Sequence, residues 1–239
     1  MIPLRRRASA EALGSGALAA IVIGSGVMAE RLSNGNDAIA LLANTLATAA
    51  GLYALIVTFA SISGAHFNPL VTLTCAVRRE LQSRDALVYL LAQVAGMLMA
   101  VVLVHAMFGL PTWLPSTKVR AGAAQVLSEA VATFMLLLSI HATRRRSTES
   151  AAAAIAATIA AGYWFTASTS FANPAITLAR SLSDGFAGIR AIDVPLFVFG
   201  QAVGAALALL CLPRLFADDL EATSALADFR QDDVTQRGR

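Results

Sequence analysis

The chain has 239 residues, of which 57% are apolar and only 14% charged, against about 25% charged in an ordinary soluble domain. That deficit excludes a typical water-soluble enzyme or binding module and points to a bilayer as solvent. The net charge of +3 invites a nucleic-acid partner, but the placement of the charges argues against one.

Asp, Glu, Lys and Arg are absent from 12–29, 38–77, 86–117, 130–143, 151–179 and 194–213. The N-terminal segment 1–7 holds Arg5, Arg6 and Arg7, and the first predicted span follows near 8–29. This start has the outline of a secretory signal, but its apolar stretch runs to Ala29 and Glu30 without a small-residue cleavage pattern, so it is expected to remain. A spanning helix needs roughly 20 residues. The 40-residue run 38–77 therefore holds a second span, near 38–60, and something further inside the membrane. Spans three to six are predicted near 85–109, 121–143, 151–168 and 192–213.

Two intervening segments are neither spans nor ordinary loops: SISGAHFNPLVTLTCAVRR at 61–79 and STSFANPAITLARSLSD at 168–184. Each is too short to cross and too apolar for solvent, so each reads as a re-entrant loop followed by a half-helix. The tail 214–239 is expected to be cytoplasmic and partly disordered. Thirteen of the 18 Lys and Arg fall at Arg5–Arg7, Arg78, Arg79, Arg84, Arg144–Arg146 and the C-terminal tail. These are alternate connections of a six-span chain, so the positive-inside rule places both termini in the cytoplasm. Cys75 and Cys211 lie in apolar surroundings and suggest neither a disulfide nor a metal site.

The chain repeats itself. Ala10-Glu11-Ala12-Leu13-Gly14-Ser15 echoes Ser128-Glu129-Ala130-Val131-Ala132-Thr133. Asn68-Pro69-Leu70-Val71-Thr72-Leu73 echoes Asn173-Pro174-Ala175-Ile176-Thr177-Leu178, and the Gln93-Val94-Ala95-Gly96 region echoes Gln201-Ala202-Val203-Gly204. One repeat, about 8–109, holds three spans. The second, about 121–213, must then enter inverted, with a site at the midplane between them. The reading is an all-α membrane protein of six spanning helices and two half-helices, forming one domain over 8–213.

Asn-Pro suits the start of a half-helix. Asn caps the N-terminus, and Pro in the first turn lacks an N–H that would have had no partner. Two such ends meeting at the midplane would direct their positive dipole ends at the pore centre and repel cations. The Asn68 and Asn173 amides would offer donors to a solute.

Ser63-Gly64-Ala65-His66-Phe67-Asn68-Pro69 resembles the first signature of the aquaporin and aquaglyceroporin family, and Asn173-Pro174-Ala175 resembles the second. The early-span glutamates Glu11 and Glu129 match the family pattern too. The resemblance covers about 8–213. It implies the aquaporin fold, a homotetramer with one pore per subunit in the inner membrane, and passive passage of small neutral solutes with no cofactor, metal or catalysis. It implies a pore constriction at Asn68, Pro69, Leu70, Asn173, Pro174 and Ala175.

Two departures stand out. Leu70 replaces the usual Ala. Ile176 stands where the family usually places the Arg of its narrow outer filter. Counting back without gaps sets the other filter positions at Thr48, Ala161 and Ser170, with Gly162 the alternative to Ala161. Such a set is small and donor-poor, and suits larger neutral solutes such as glycerol-like polyols, with water a further permeant; the resemblance to family members with an aliphatic residue in place of that Arg implies neutral metalloid acids or methylated arsenicals as well. His66 is expected in the cytoplasmic vestibule, and Glu11 and Glu129 are expected to accept hydrogen bonds from re-entrant backbone. Arg180, one turn beyond Ile176, has two readings: it snorkels to the outer surface, or it reaches back and restores some missing charge. The alternatives are an orthodox water channel and a coupled secondary transporter.

Overall fold

The structure, a computed structural model, describes residues 2–216; the tail expectation for 217–239 lies outside them. Six long helices run as α1 (Leu4–Leu32), α2 (Asp37–Ser63), α4 (Ser83–Phe108), α5 (Ala123–Thr143), α6 (Thr148–Phe165) and α8 (Val194–Leu215). Two short ones, α3 (Pro69–Val77) and α7 (Pro174–Arg180), lie between α2 and α4 and between α6 and α8. The described residues contain no named strand, only an isolated bridge between Leu114 and Ser183.

Local chemistry sets the ends that matter. Asn36 caps α2 by accepting from the Ala38 and Ile39 N–H groups at 3.1 and 3.2 Å. Gly64 stops it with φ +90°, a left-handed conformation that costs glycine least. α6 stops where Thr166 turns extended. The released backbone at 64–68 and 166–173 forms the two re-entrant loops. Asn68 and Asn173, each followed by Pro, then restart the chain as α3 and α7.

Five of the long helices are apolar and long enough to cross a membrane. α6 opens on Thr148-Glu149-Ser150 and is rich in alanine, so it is less apolar. Its 18 residues still rise about 27 Å, close to the roughly 30 Å hydrocarbon thickness. α1 packs on α2 and α4, α5 packs on α6 and α8, and α2 meets α6, so two similar halves lie face to face. The crossings repeat as well: a Cβ on Gly96 would collide with the Ala12 carbonyl oxygen of α1, and one on Gly204 with the Ala130 carbonyl oxygen of α5. Glycine here permits the close backbone approach that binds helices in lipid.

The outside of the bundle is apolar, with Leu13, Leu46, Leu91, Met99, Leu127 and Leu210 all exposed. In water that surface would be an aggregation hazard. In a bilayer it is the ordinary lipid-facing exterior, and the protein is a multi-pass membrane protein. Arg7 pairs with Asp85 and Arg144 with Glu80 on one face, which also carries the α8 end. The opposite face is closed by 110–122 and 181–193, joined through Ser116 N–H to Ser181 O and Asp184 N–H to Leu114 O.

Candidate pore and selectivity region

Two buried carboxylates hold the re-entrant loops. Glu11 accepts from Ser63 Oγ at 2.6 Å, His66 N–H at 3.0 Å, Phe67 N–H at 2.8 Å and Gln93 Nε2 at 2.8 Å. Glu129 accepts from Phe171 N–H and Ala172 N–H, both at 2.9 Å, and from Gln201 Nε2 at 2.6 Å. Gln93 also donates to Thr72 Oγ1 and Gln201 to Thr177 Oγ1, each at 2.9 Å. The two networks match residue for residue through the repeat. They anchor backbone that has no helical partner: Ala65 and Phe67 in one loop, Ser170 and Ala172 in the other, all have left-handed φ near +50°. At membrane depth such backbone persists only if its polar groups are satisfied by protein or a wet lumen.

The half-helices meet cap to cap. Asn68 Oδ1 accepts from Leu70 N–H at 2.9 Å, while its Nδ2 donates to the Ala172 carbonyl oxygen at 2.7 Å. Asn173 Oδ1 accepts from Ala175 N–H at 3.0 Å and Ile176 N–H at 3.3 Å, and its Nδ2 donates to the Phe67 carbonyl oxygen at 2.8 Å. Each amide therefore spends one N–H on the opposite loop and retains one.

A cavity of about 250 Å³ passes both asparagines and reaches from Arg180 to Arg144. Residues 2–165 match the profile of the major intrinsic protein family. The chain belongs to that family. Among its relatives, "Aquaglyceroporin AqpS" of Rhizobium meliloti (strain 1021) is 50% identical over 206 residues, 86% of this chain and 88% of that protein. "Aquaporin AqpM" of Methanothermobacter thermautotrophicus is 32% identical across 74% of this chain and 76% of its own. An aquaglyceroporin structure from Plasmodium falciparum superposes with a TM-score of 0.70, covering 92% of this chain and all of its own, at 19% identity. That likeness speaks for the fold. A major intrinsic protein is a passive channel for small neutral solutes, and this chain is a channel rather than an enzyme.

Of the six residues expected at the family's constriction, Asn68 and Asn173 line the cavity. Pro69, Leu70, Pro174 and Ala175 do not line it. The prolines open the half-helices. Leu70 packs with Leu137, Ala205 and Leu212, and Ala175 lies in the main core. Their contribution is to build the half-helices rather than to face the lumen.

Thr48, Ser170 and Ile176 line the cavity, but Ala161 is exposed on the outside of α6 and does not. One residue on, Gly162 is buried, and a Cβ there would stand 2.5 Å from Ser170 Oγ. Neither Ala161 nor Gly162 lines the cavity, so α6 reaches the lumen here through the next residue instead. Tyr163, absent from the expected filter, also lines the lumen and donates its hydroxyl to Thr48 Oγ1 at 3.3 Å. His66 lines the lumen too, with Nδ1 3.1 Å from Thr72 Oγ1 and its ring edge against Tyr89.

Arg180 does not snorkel outward. It is 2% exposed, lines the cavity, and donates from Nε to the Ala187 carbonyl oxygen. Its guanidinium carbon lies 3.3 Å from the Phe171 ring centroid. Arg120, which sequence reasoning passed over, reaches the same ring at 4.9 Å. Its Nε donates to Gly188 O at 2.8 Å and its Nη1 to Ser168 O at 3.1 Å. Burial pulls the Arg120 guanidinium down to about 10, which leaves it charged at neutral pH. At the other end of the lumen Glu80 Oε1 accepts from Arg78 Nε at 3.0 Å and Arg144 Nη1 at 2.7 Å, joining the two repeats across the mouth.

The Gln93–Thr72 and Gln201–Thr177 links were within reach of the sequence. A glutamine repeated at the same place in two apolar spans signals a shared buried acceptor. Tyr163 and Arg120 carried no such signal.

Proposed function

We propose that this channel passes glycerol-class polyols, and neutral metalloid acids or methylated arsenicals of similar size, with water as a co-permeant. The observation that carries the reading is Ile176 on the lumen, at the turn where the family's filter guanidinium ordinarily stands. An aliphatic side chain there, beside Thr48 and Ser170, favours a passage that is wide and donates weakly at that level. The 50% identical relative named an aquaglyceroporin supports the same class. Glu11 and Glu129 do not line the cavity, and their carboxylates are occupied by loop donors. That arrangement favours free diffusion over proton-coupled transport.

The family resemblance points to a homotetramer in the inner membrane, and the basic clusters at Arg5–Arg7 and Arg144–Arg146 support an orientation with both termini cytoplasmic. Purified protein in liposomes tests the solute class. Glycerol, a neutral metalloid acid and a methylated arsenical should enter much faster than in protein-free vesicles. Entry of water alone would make it an orthodox water channel.

A further inference from the structure

The filter position after Asn173-Pro174-Ala175 lacks a guanidinium, yet a buried guanidinium lines the same cavity one helical turn on. Arg180 is the last residue of α7. Three features fix its head: the Nε–H bond to Ala187 O, the face of Phe171, and the tight seat of Ala187, where a Cβ on Gly26 would stand 2.7 Å from the Ala187 Cβ. Phe171 is itself held by its N–H on Glu129 and by Phe197, whose ring centroid lies 5.0 Å away. Arg120 ties the same loop through Gly188 O and Phe186 O.

The two arginines differ in what they have left to give. Arg120 directs Nε, Nη1 and Nη2 to backbone carbonyls and does not line the cavity. Arg180 makes a single hydrogen bond, through Nε, and forms no ion pair with a carboxylate among the described residues. A guanidinium has five N–H donors, so the four on its terminal nitrogens remain for whatever occupies the lumen. A fork of that shape suits two neighbouring oxygens of one solute.

We propose that Arg180 is the channel's specificity-determining guanidinium: held by Ala187 and Phe171 on the lumen beside Ile176, it offers its terminal N–H groups to the oxygens of a passing solute and repels cations. It stands a turn beyond the usual filter, so the passage stays wide at Ile176 while still presenting a charged donor. This inference rests on the passive-channel reading. If wild-type vesicles take up no solute, that reading fails; if they do, the outcomes below judge Arg180 alone.

The experiment measures glycerol flux, water flux and sodium leak in proteoliposomes matched for tetramer abundance. Arg180→Lys keeps the charge and loses the fork. Its glycerol-to-water flux ratio should fall about tenfold, the size of one lost charge-assisted hydrogen bond, with sodium leak unchanged. Arg180→Met should lose the ratio and gain a sodium leak, and Arg180→Met with Ile176→Arg should abolish that leak again. Unchanged ratios and leak in the folded single variants would overturn the proposal. Should neither variant assemble, butanedione labelling of the wild type decides, read by peptide mass at each arginine. Modification of Arg180 slowed by glycerol supports the proposal; no modification there, or no protection, overturns it.

Discussion

The Asn173 side-chain amide donates to the Phe67 carbonyl oxygen at 2.8 Å, tying the cap of one half-helix to the residue preceding the cap of the other. Asn68 returns the bond to Ala172. Truncating either asparagine removes a cap of about 1 kcal/mol and a cross-link of about 1 kcal/mol, besides the amide hydrogen left for solute. Asn68→Ala and Asn173→Ala should each cut solute flux at matched abundance. Unchanged flux in both would remove these residues from the conducting path.

The carboxylates of Glu11 and Glu129 are fully buried, and each is the shared acceptor of its loop. Glu129→Ala would strand the Phe171 and Ala172 N–H groups, each at a cost of about 1–3 kcal/mol, and would leave Gln201 Nε2 with only its bond to Thr177 Oγ1. Thermal unfolding of the detergent-solubilised protein should show a loss on the order of 3 kcal/mol or more, and a similar loss for Glu11→Ala. Glu129→Gln retains one acceptor oxygen and should lose less.

Helix contact at the repeated glycines gives a paired comparison. Gly96 and Gly204 face backbone carbonyls that cannot move aside, whereas a Cβ on Gly24 would find ordinary contact with Phe108 at 3.6 Å. Gly96→Val and Gly204→Val should each destabilise by about 1–3 kcal/mol or more through overpacking. Gly24→Ala should be near neutral in the same melting assay.

Much of the membrane architecture is written in the spacing of charge. Uncharged runs delimit the six long helices, and the doubled Asn-Pro marks both half-helices. The filter was less legible. Counting back from Asn173 pointed to Ala161 or Gly162 on α6, but the residue of α6 that lines the lumen at this level is Tyr163, because which face of α6 turns inward is set by its packing and not by its distance from Asn173. The fate of Arg180 depended on Ala187 and Phe171, contacts made by loop backbone and a ring stack. No residue pattern near Arg180 announces either.

Ile176→Arg would place a second guanidinium on the lumen a turn from Arg180. Glycerol and methylated solutes should fall much more than water, because the added side chain occupies volume before it blocks a single water file. The tetramer should still assemble, since a lumen-facing charge avoids the cost of about 2.5–3.5 kcal/mol that lipid would impose. Equal loss for both permeants would indicate general damage, and no loss would take Ile176 off the path.

The most direct test of passive conduction is solute distribution at equilibrium in proteoliposomes, measured with and without an imposed pH or sodium gradient. Glycerol should rise to the bath concentration and stop there, at the same level under every gradient, with only its rate set by the channel. Accumulation above the bath concentration that follows either gradient would contradict the account.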